Sequence, residues 1–232
     1  MPDANASFRK AYIVTGPTSG IGRATAFAPA RHGTLVLVGR DRAKLDALQA
    51  DIARKGGDTV PVVCDLSDIP SARRAAAEIA ARDLPVAGLL NNAGIRQEHP
   101  TKSAQGWDMT FATNHLGPFA FTGALLPHLA NDTNVLFVAS AVEDPERRLA
   151  AAGAVRFVAT YVLPLLVPFI KHMSTPRRAA RVLTKILTDE AGRTGVYYDE
   201  SGHPMPGSAQ VRDPAFTARV AAETRALLGG VG

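Results

Sequence analysis

Cysteine is nearly missing from this chain: Cys64 is the single one in 232 residues. An internal disulfide is therefore impossible, and the reading is a cytoplasmic protein held together by packing and hydrogen bonds. Tryptophan occurs once and aromatics make up 6% of the residues. That is too few for the basic-and-aromatic stripe of a nucleic-acid surface, so no nucleic-acid partner is expected. No apolar run reaches the ~20 residues that cross a bilayer. The longest, "YVLPLLVPFI" at 161–170, is interrupted by two prolines. It reads as a substrate wall, as core or subunit contact, or as a membrane-surface contact, but not as a transmembrane segment. The opening "MPDANASFRK" has no apolar centre of a signal peptide. The histidines, at 32, 99, 115, 128, 172 and 203, show no paired spacing, and no metal is expected. An excess of one charge is also lacking. Lys and Arg number 26 against 21 Asp and Glu, a net +5. The small clusters at Arg147-Arg148 and Arg177-Arg178 read as solvated faces, with a basic rim that can attract a phosphorylated ligand.

What is present is enough apolar material for one substantial core: 46% hydrophobic residues at a mean hydropathy of +0.01. Short β-rich runs alternate with helical patterns. "AYIVTG" (11–16), "TLVLVGR" (34–40), "TVPVVCDLSD" (59–68), "VAGLLNNAG" (86–94) and "NVLFVAS" (134–140) read as strands. Pro61 is expected at the start of its strand rather than the middle. Between the strands lie helices at 20–33, with Pro29 as a kink, at 41–57, at 70–83 and at 107–130, the last with Gly117 and Pro118 in its interior. This alternation predicts a doubly wound α/β fold: a parallel, Rossmann-type sheet with helices on both faces. Later, "STPRRAARVLTKILTDEAG" predicts a helix capped by Thr175, with Pro176 in its first turn and Val182, Leu183, Ile186 and Leu187 on one face. "GVYYD" (195–199) reads as a last strand and "DPAFTARVAAETRALLGG" (213–230) as a closing amphipathic helix. Without repeats or linkers, 1–232 reads as one domain: a cofactor-binding half at 1–140 and a substrate-side and C-terminal part at 141–232.

"VTGPTSGIGRA" sets Gly16, Gly20 and Gly22 between the first strand and the first helix. Glycines there let the chain turn tightly and let backbone approach a pyrophosphate. The helix start offers it unpaired N–H groups. The spacing is G-x-x-x-G-x-G rather than G-x-G-x-x-G. With three further motifs in order, the chain resembles the short-chain dehydrogenase/reductase family. "CDLSD" supplies Asp65 and Leu66 after the third strand, "LLNNAG" supplies Asn91, Asn92, Ala93 and Gly94 after the fourth, and "TNHLG" supplies Asn114 in the long helix. The resemblance implies that Gly16, Thr18, Ser19, Gly20, Ile21 and Gly22 cradle a nicotinamide dinucleotide. It implies that Asp65 and Leu66 meet the adenine and that the segment Asn91, Asn92, Ala93 and Gly94 lies beside the cofactor; read on its own, Asn91 is a side chain that braces the sheet. Asn114 would hold a water in a proton relay, and Ser140, ending the fifth strand, would steady a substrate carbonyl or hydroxyl. The C-terminal portion looks like the tails of retinol dehydrogenase and protochlorophyllide reductase relatives. Family members commonly form homodimers through their long helices, so a homodimer is a possible state of this chain too.

Cofactor choice is read at the end of the second strand, "VGRDR". A 2′-phosphate needs positive charge there and a bare ribose an acidic residue. Arg40 can pair with phosphate bidentately, with Arg42 or Lys44 nearby. Asp41, the competing residue, sits one place late. The expectation is NADP(H), with NAD(H) the lesser alternative.

In the family a Tyr followed four residues later by a Lys moves the proton. Here Tyr12, Tyr161, Tyr197 and Tyr198 are followed at that position by Gly16, Leu165, Ser201 and Gly202. Lys171 lies beyond two prolines. The sixth strand and its Pro-Gly turn are also missing, which leaves the fifth strand at an edge. The expectation is an NADP-dependent oxidoreductase interconverting a hydrophobic alcohol and its aldehyde or ketone, its Tyr and Lys on a segment missing near 150–156. The alternative is a catalytically inactive NADP(H)-binding sensor or structural protein. "GPTSG" has Thr18 where a hydrolase elbow needs Ser, and Cys64 reads as a buried thiol.

Overall fold

The computed structural model describes residues 10–139, 175–189 and 195–231. Five parallel strands run β1 (Ala11–Thr15), β2 (Thr34–Gly39), β3 (Thr59–Val63), β4 (Val86–Asn91) and β5 (Asn134–Phe137), in the spatial order β3-β2-β1-β4-β5. The central strands are apolar at nearly every position because both faces are covered. Ile13, Val36, Val38 and Leu89 face one layer, with Ala72, Ala76, Ile79, Phe121 and Leu125 packed on them. Tyr12, Val14, Leu35, Leu37 and Leu90 face the other, against Ala26, Leu45, Leu48, Ile52 and Leu187. The alternation of neighbours between the two lists is the period of a pleated strand. The doubly wound α/β fold expected from the sequence is the fold observed.

Several helices begin where a polar side chain meets their orphaned N–H groups. Asp41 caps α2 (Arg42–Ala53) by accepting from the Lys44 N–H at 3.1 Å. Asp68 caps α3 (Ile69–Ala80) by accepting from the Ser71 N–H at 3.2 Å. The first helix, α1 (Gly20–Ala26), stops before Pro29, which opens a separate 3₁₀ turn at Pro29–Arg31 rather than kinking a continuous helix. The long helical stretch is also divided: α4 (Met109–Phe111), a π turn at Ala112–Leu116, α5 (Gly117–Leu125), and a 3₁₀ turn at Leu126–His128. Pro118 causes the widening, since it brings no N–H to the carbonyl of Asn114 four residues back.

Two strand readings change. Pro61 is the third residue of β3, paired with Leu37, not its first. It is tolerated because β3 is the outer strand of the sheet among the described residues, where one side of its backbone has no ladder to complete. The "GVYYD" strand does not join the sheet. Its β6 (Tyr197–Tyr198) pairs antiparallel with β7 (Pro204–Met205) in a hairpin of its own. Asp199 holds that turn by accepting from the N–H groups of Ser201 at 2.8 Å and His203 at 2.9 Å. At the other edge, β5 pairs only with β4 among the described residues, and Phe137 is 58% exposed.

The later helices pack back on this frame. Thr175 caps α6 (Pro176–Leu187) by accepting from the Arg178 N–H, as the sequence predicts. Leu183 and Leu187 pack on the sheet layer behind α1 and α2. The closing helix, α7 (Pro214–Gly229), is pinned at its C-terminal end by Arg73, whose guanidinium donates to the carbonyls of Leu228 and Val231. A cation at that end also matches the helix dipole. A 2.9 Å hydrogen bond between His115 Nε2 and Thr224 Oγ1 holds its middle. Burial lowers the His115 pKa below the ordinary imidazole range.

The C-terminal ends of β1 and β4 are joined through one hydroxyl. Thr15 is 0% exposed. Its Oγ1 accepts from the N–H of Asn92 and of Ala93, both at 3.0 Å, and reaches the Leu90 carbonyl at 3.4 Å. Thr15→Val keeps the shape but leaves the Ala93 N–H without its partner, while the Asn92 N–H keeps the Leu90 carbonyl at 3.1 Å. The expected loss is about 1–3 kcal/mol in denaturant unfolding, the cost of one unsatisfied buried group; Thr15→Ser should recover most of it.

Cys64, just past β3, is buried, and desolvation pushes its thiol pKa from 9.0 up to about 12. A raised thiol pKa favours the folded state fully below pH 9 and loses that contribution as pH climbs towards 12. In native protein at pH 8 the thiol is expected to resist a chromogenic disulfide reagent and to react at once in denaturant. Rapid native labelling would contradict this burial.

Candidate functional site

The loop from β1 into α1 is shaped by what its glycines cannot carry. Gly16 has φ +65°, and a Cβ on it would lie 2.8 Å from Ala93 Cα. A Cβ on Gly22 would lie 2.2 Å from the Gly16 carbonyl oxygen and 2.4 Å from Asn92 Nδ2. Any side chain at 22 would push the helix off the sheet. Asn92 fills the remaining space, its Nδ2 donating to the carbonyls of Thr15 at 3.0 Å and Gly16 at 3.2 Å. Around Gly20 the opposite holds: a Cβ there would meet nothing within 4 Å. Ser19 beside it occupies the N-cap position with extended backbone, yet its side chain makes no capping bond. The first-turn N–H groups and the Ser19 hydroxyl therefore face open space at the positive end of α1, between half-buried Thr18 and Ile21. The residues present fit a diphosphate.

At the end of β2 the charges sort themselves. Asp41 is committed to α2: besides its cap, its carboxylate pairs with Lys44 Nζ at 3.3 Å. The Lys44 N–H, foremost, holds its pKa below the usual carboxylate range. Arg42 pairs with Asp46 at 2.8 Å. Arg40 is exposed and makes no hydrogen bond or ion pair with the described residues. Of the three cations that the sequence brings here, it is the one without an ion pair among the described residues.

The next strand ends complete the rim. After β3, Asp65 Oδ1 accepts from the Ser67 N–H at 2.9 Å and the Ser67 hydroxyl at 2.7 Å, and the Asp65 N–H donates to Ser71 Oγ at 3.0 Å. Leu66 is buried beside it. After β4, Ala93 and Gly94 follow the Asn92 clasp. Asn114 then closes the rim with two bonds to one residue: its Oδ1 accepts from the Ile95 N–H at 2.8 Å, and its Nδ2 donates to the Ile95 carbonyl at 2.9 Å. Both amide atoms are thus engaged with backbone. The π turn in which Asn114 sits leaves its main-chain carbonyl without the helical donor that Pro118 lacks. Asn91 points away from this rim, its Nδ2 donating to Thr122 Oγ1 at 3.0 Å, and so braces β4 against α5.

Ser140 lies outside the described residues, as do Tyr161, Lys171 and the 161–170 run. Tyr12 is buried in β1, and Tyr197 and Tyr198 are in the hairpin. No group of acidic, His and Cys side chains able to hold a metal occurs among the described residues, and no helix among them is long and apolar enough to cross a membrane. Thr15 is the site residue that the motifs do not announce. The signal available for it is a polar residue at the end of an otherwise apolar strand, where burial demands partners.

Residues 10–152 match the family described as short chain dehydrogenase. The short-chain dehydrogenase/reductase bet4 of Neocamarosporium betae is 35% identical over 139 residues, covering 56% of this chain and 39% of that protein. Retinol dehydrogenase 13 of Homo sapiens is 37% identical over 126 residues, covering 52% of this chain and 37% of that protein. The chain spans about two-fifths of the length of these curated relatives. A solved metagenomic short-chain oxidoreductase in complex with NADP shares the fold at a TM-score of 0.60 and 24% identity, covering 81% of this chain and 95% of that one. The matched segment contains the glycine loop, the Asp65 turn, the Asn92 clasp and Asn114, and on that ground the chain belongs to the short-chain dehydrogenase family.

Proposed function

We infer that the chain is a cytoplasmic, NADP-dependent oxidoreductase that interconverts a hydrophobic alcohol and its aldehyde or ketone. The observation that carries the cofactor reading is Arg40, unpaired among the described residues while Asp41 is spent on a helix cap. The nicotinamide, when bound, supplies or takes up the hydride. The chain's own part is to hold and orient. Ser19 and the first-turn N–H groups of α1 bind the diphosphate, Arg40 the 2′-phosphate, and Asp65 with Leu66 the adenine. Thr15 and Asn92 fix the loop that carries the ring end. Asn114 fixes Ile95 and, through its carbonyl, holds a water for proton transfer, while Ser140 steadies the substrate oxygen. The proton itself requires a Tyr and Lys on a further segment, because no Tyr of this chain has a Lys four residues on. That same fact favours a second reading, an NADP(H)-binding protein without turnover. The mass of the protein isolated from its source separates the two. A mass above 24.4 kDa, with turnover of a hydrophobic alcohol or aldehyde followed at the reduced-nicotinamide absorbance, supports the enzyme. A mass of 24.4 kDa with NADPH binding and no turnover supports the binding protein.

Arg40→Asp is expected to weaken NADPH binding by about ten- to a hundredfold, the worth of a charge-assisted pair, and to leave NADH binding nearly unchanged. Titrations followed by nicotinamide fluorescence give both affinities. Equal losses for the two would remove Arg40 as the phosphate ligand.

A further inference from the structure

Beside the cradle, and meeting it at Gly20, α1 and α6 flank an open groove of about 740 Å³ whose other lining residues the dinucleotide reading does not use. Its floor is apolar, formed by Ala24, Phe27, Ala28 and Ala180, and its rim is basic, formed by Arg23, Lys55, Arg177, Arg181 and Lys185. Arg177, Arg181 and Lys185 are spaced by four and so stack along one stripe of α6. Like charges at that spacing repel, and none of the three has an ion pair among the described residues. Arg23 is partly neutralised by Asp51 at 2.6 Å, and Lys55 rests over the Phe27 ring at 4.2 Å. A stripe of uncompensated cations beside an apolar floor matches an amphiphile with a doubly charged head and a hydrocarbon body. The apolar floor gives one alkyl chain a place to lie beside the cations.

The geometry points to a second ligand site here, for an alkyl phosphate monoester: the phosphate on Arg177, Arg181 and Lys185, the chain along Ala24, Phe27, Ala28 and Ala180. The site stands on these residues and does not depend on the dinucleotide reading.

The full chain is titrated calorimetrically with octyl phosphate, inorganic phosphate and octyl glucoside. Octyl phosphate is expected to bind at least about tenfold more tightly than either the head or the uncharged amphiphile. Arg181→Gln with Lys185→Gln should weaken it about tenfold. Both side chains are exposed, so the melting temperature should not fall. Saturating NADP⁺ should leave octyl phosphate bound; displacement would mean that the probe sits in the glycine loop and would overturn the assignment. Inorganic phosphate or octyl glucoside binding as tightly as octyl phosphate would overturn it too, as would wild-type affinity in the double variant. Sedimentation with phosphatidylserine vesicles without octyl phosphate binding would assign the face to a membrane instead.

Discussion

The structure turns on a buried hydroxyl at the sheet's C-terminal edge. Thr15 ends a strand that is otherwise apolar, and its oxygen takes the N–H groups of two successive residues, Asn92 and Ala93, that come after a different strand. In a parallel sheet the ladder ends where the strands end, and the first residues beyond it lose their partners. The Thr15 oxygen replaces those lost bonds, and Asn92 returns the favour by donating to the Thr15 and Gly16 carbonyls. With the two strand ends locked, Gly16 can lie against Ala93 and Gly22 against Gly16, at distances that admit no Cβ. The opening over Gly20 follows from that closeness.

The rest of the site is arranged by elimination among charges and polar groups. Around the end of β2, helix capping takes Asp41 and an i,i+4 pair takes Arg42, which leaves Arg40 facing solvent. At the end of β3, Ser67 holds Asp65 Oδ1 and so fixes the carboxylate's direction. In the long helix, a proline forces a π turn, and Asn114 uses that irregularity to grip the loop after Gly94. Each device needs only a short local sequence, but each is aimed by the sheet that brings the strand ends into one row.

The other parts of the chain show how far local patterns reach. "GVYYD" has the composition of a strand and forms one, yet its partner is Pro204–Met205 rather than the parallel sheet. Strand propensity describes the fit of a residue to a pleated surface and carries no information about which neighbour is available. Pro61 belongs to the same lesson. The rule that proline avoids strand interiors is a rule about missing ladder bonds, and on an outer strand there is a side where no ladder exists.

The sequence by itself determined the alternation of strands and helices, the cap at Thr175, and the glycine-rich turn. All of these rest on interactions within a few residues of one another, or on the period with which apolar side chains recur. It also put Arg40 and Asp65 at strand ends, because strand ends are marked by where apolar runs stop. Only the tertiary structure decided that Thr15 is the joint between β1 and β4, that Asn114 binds Ile95 with both amide atoms, and that Arg73 secures the last helix across 158 positions of sequence. Those choices depend on which buried polar groups meet once the layers pack, and a buried donor or acceptor takes its partner from whatever the fold brings within reach, however far away in the chain.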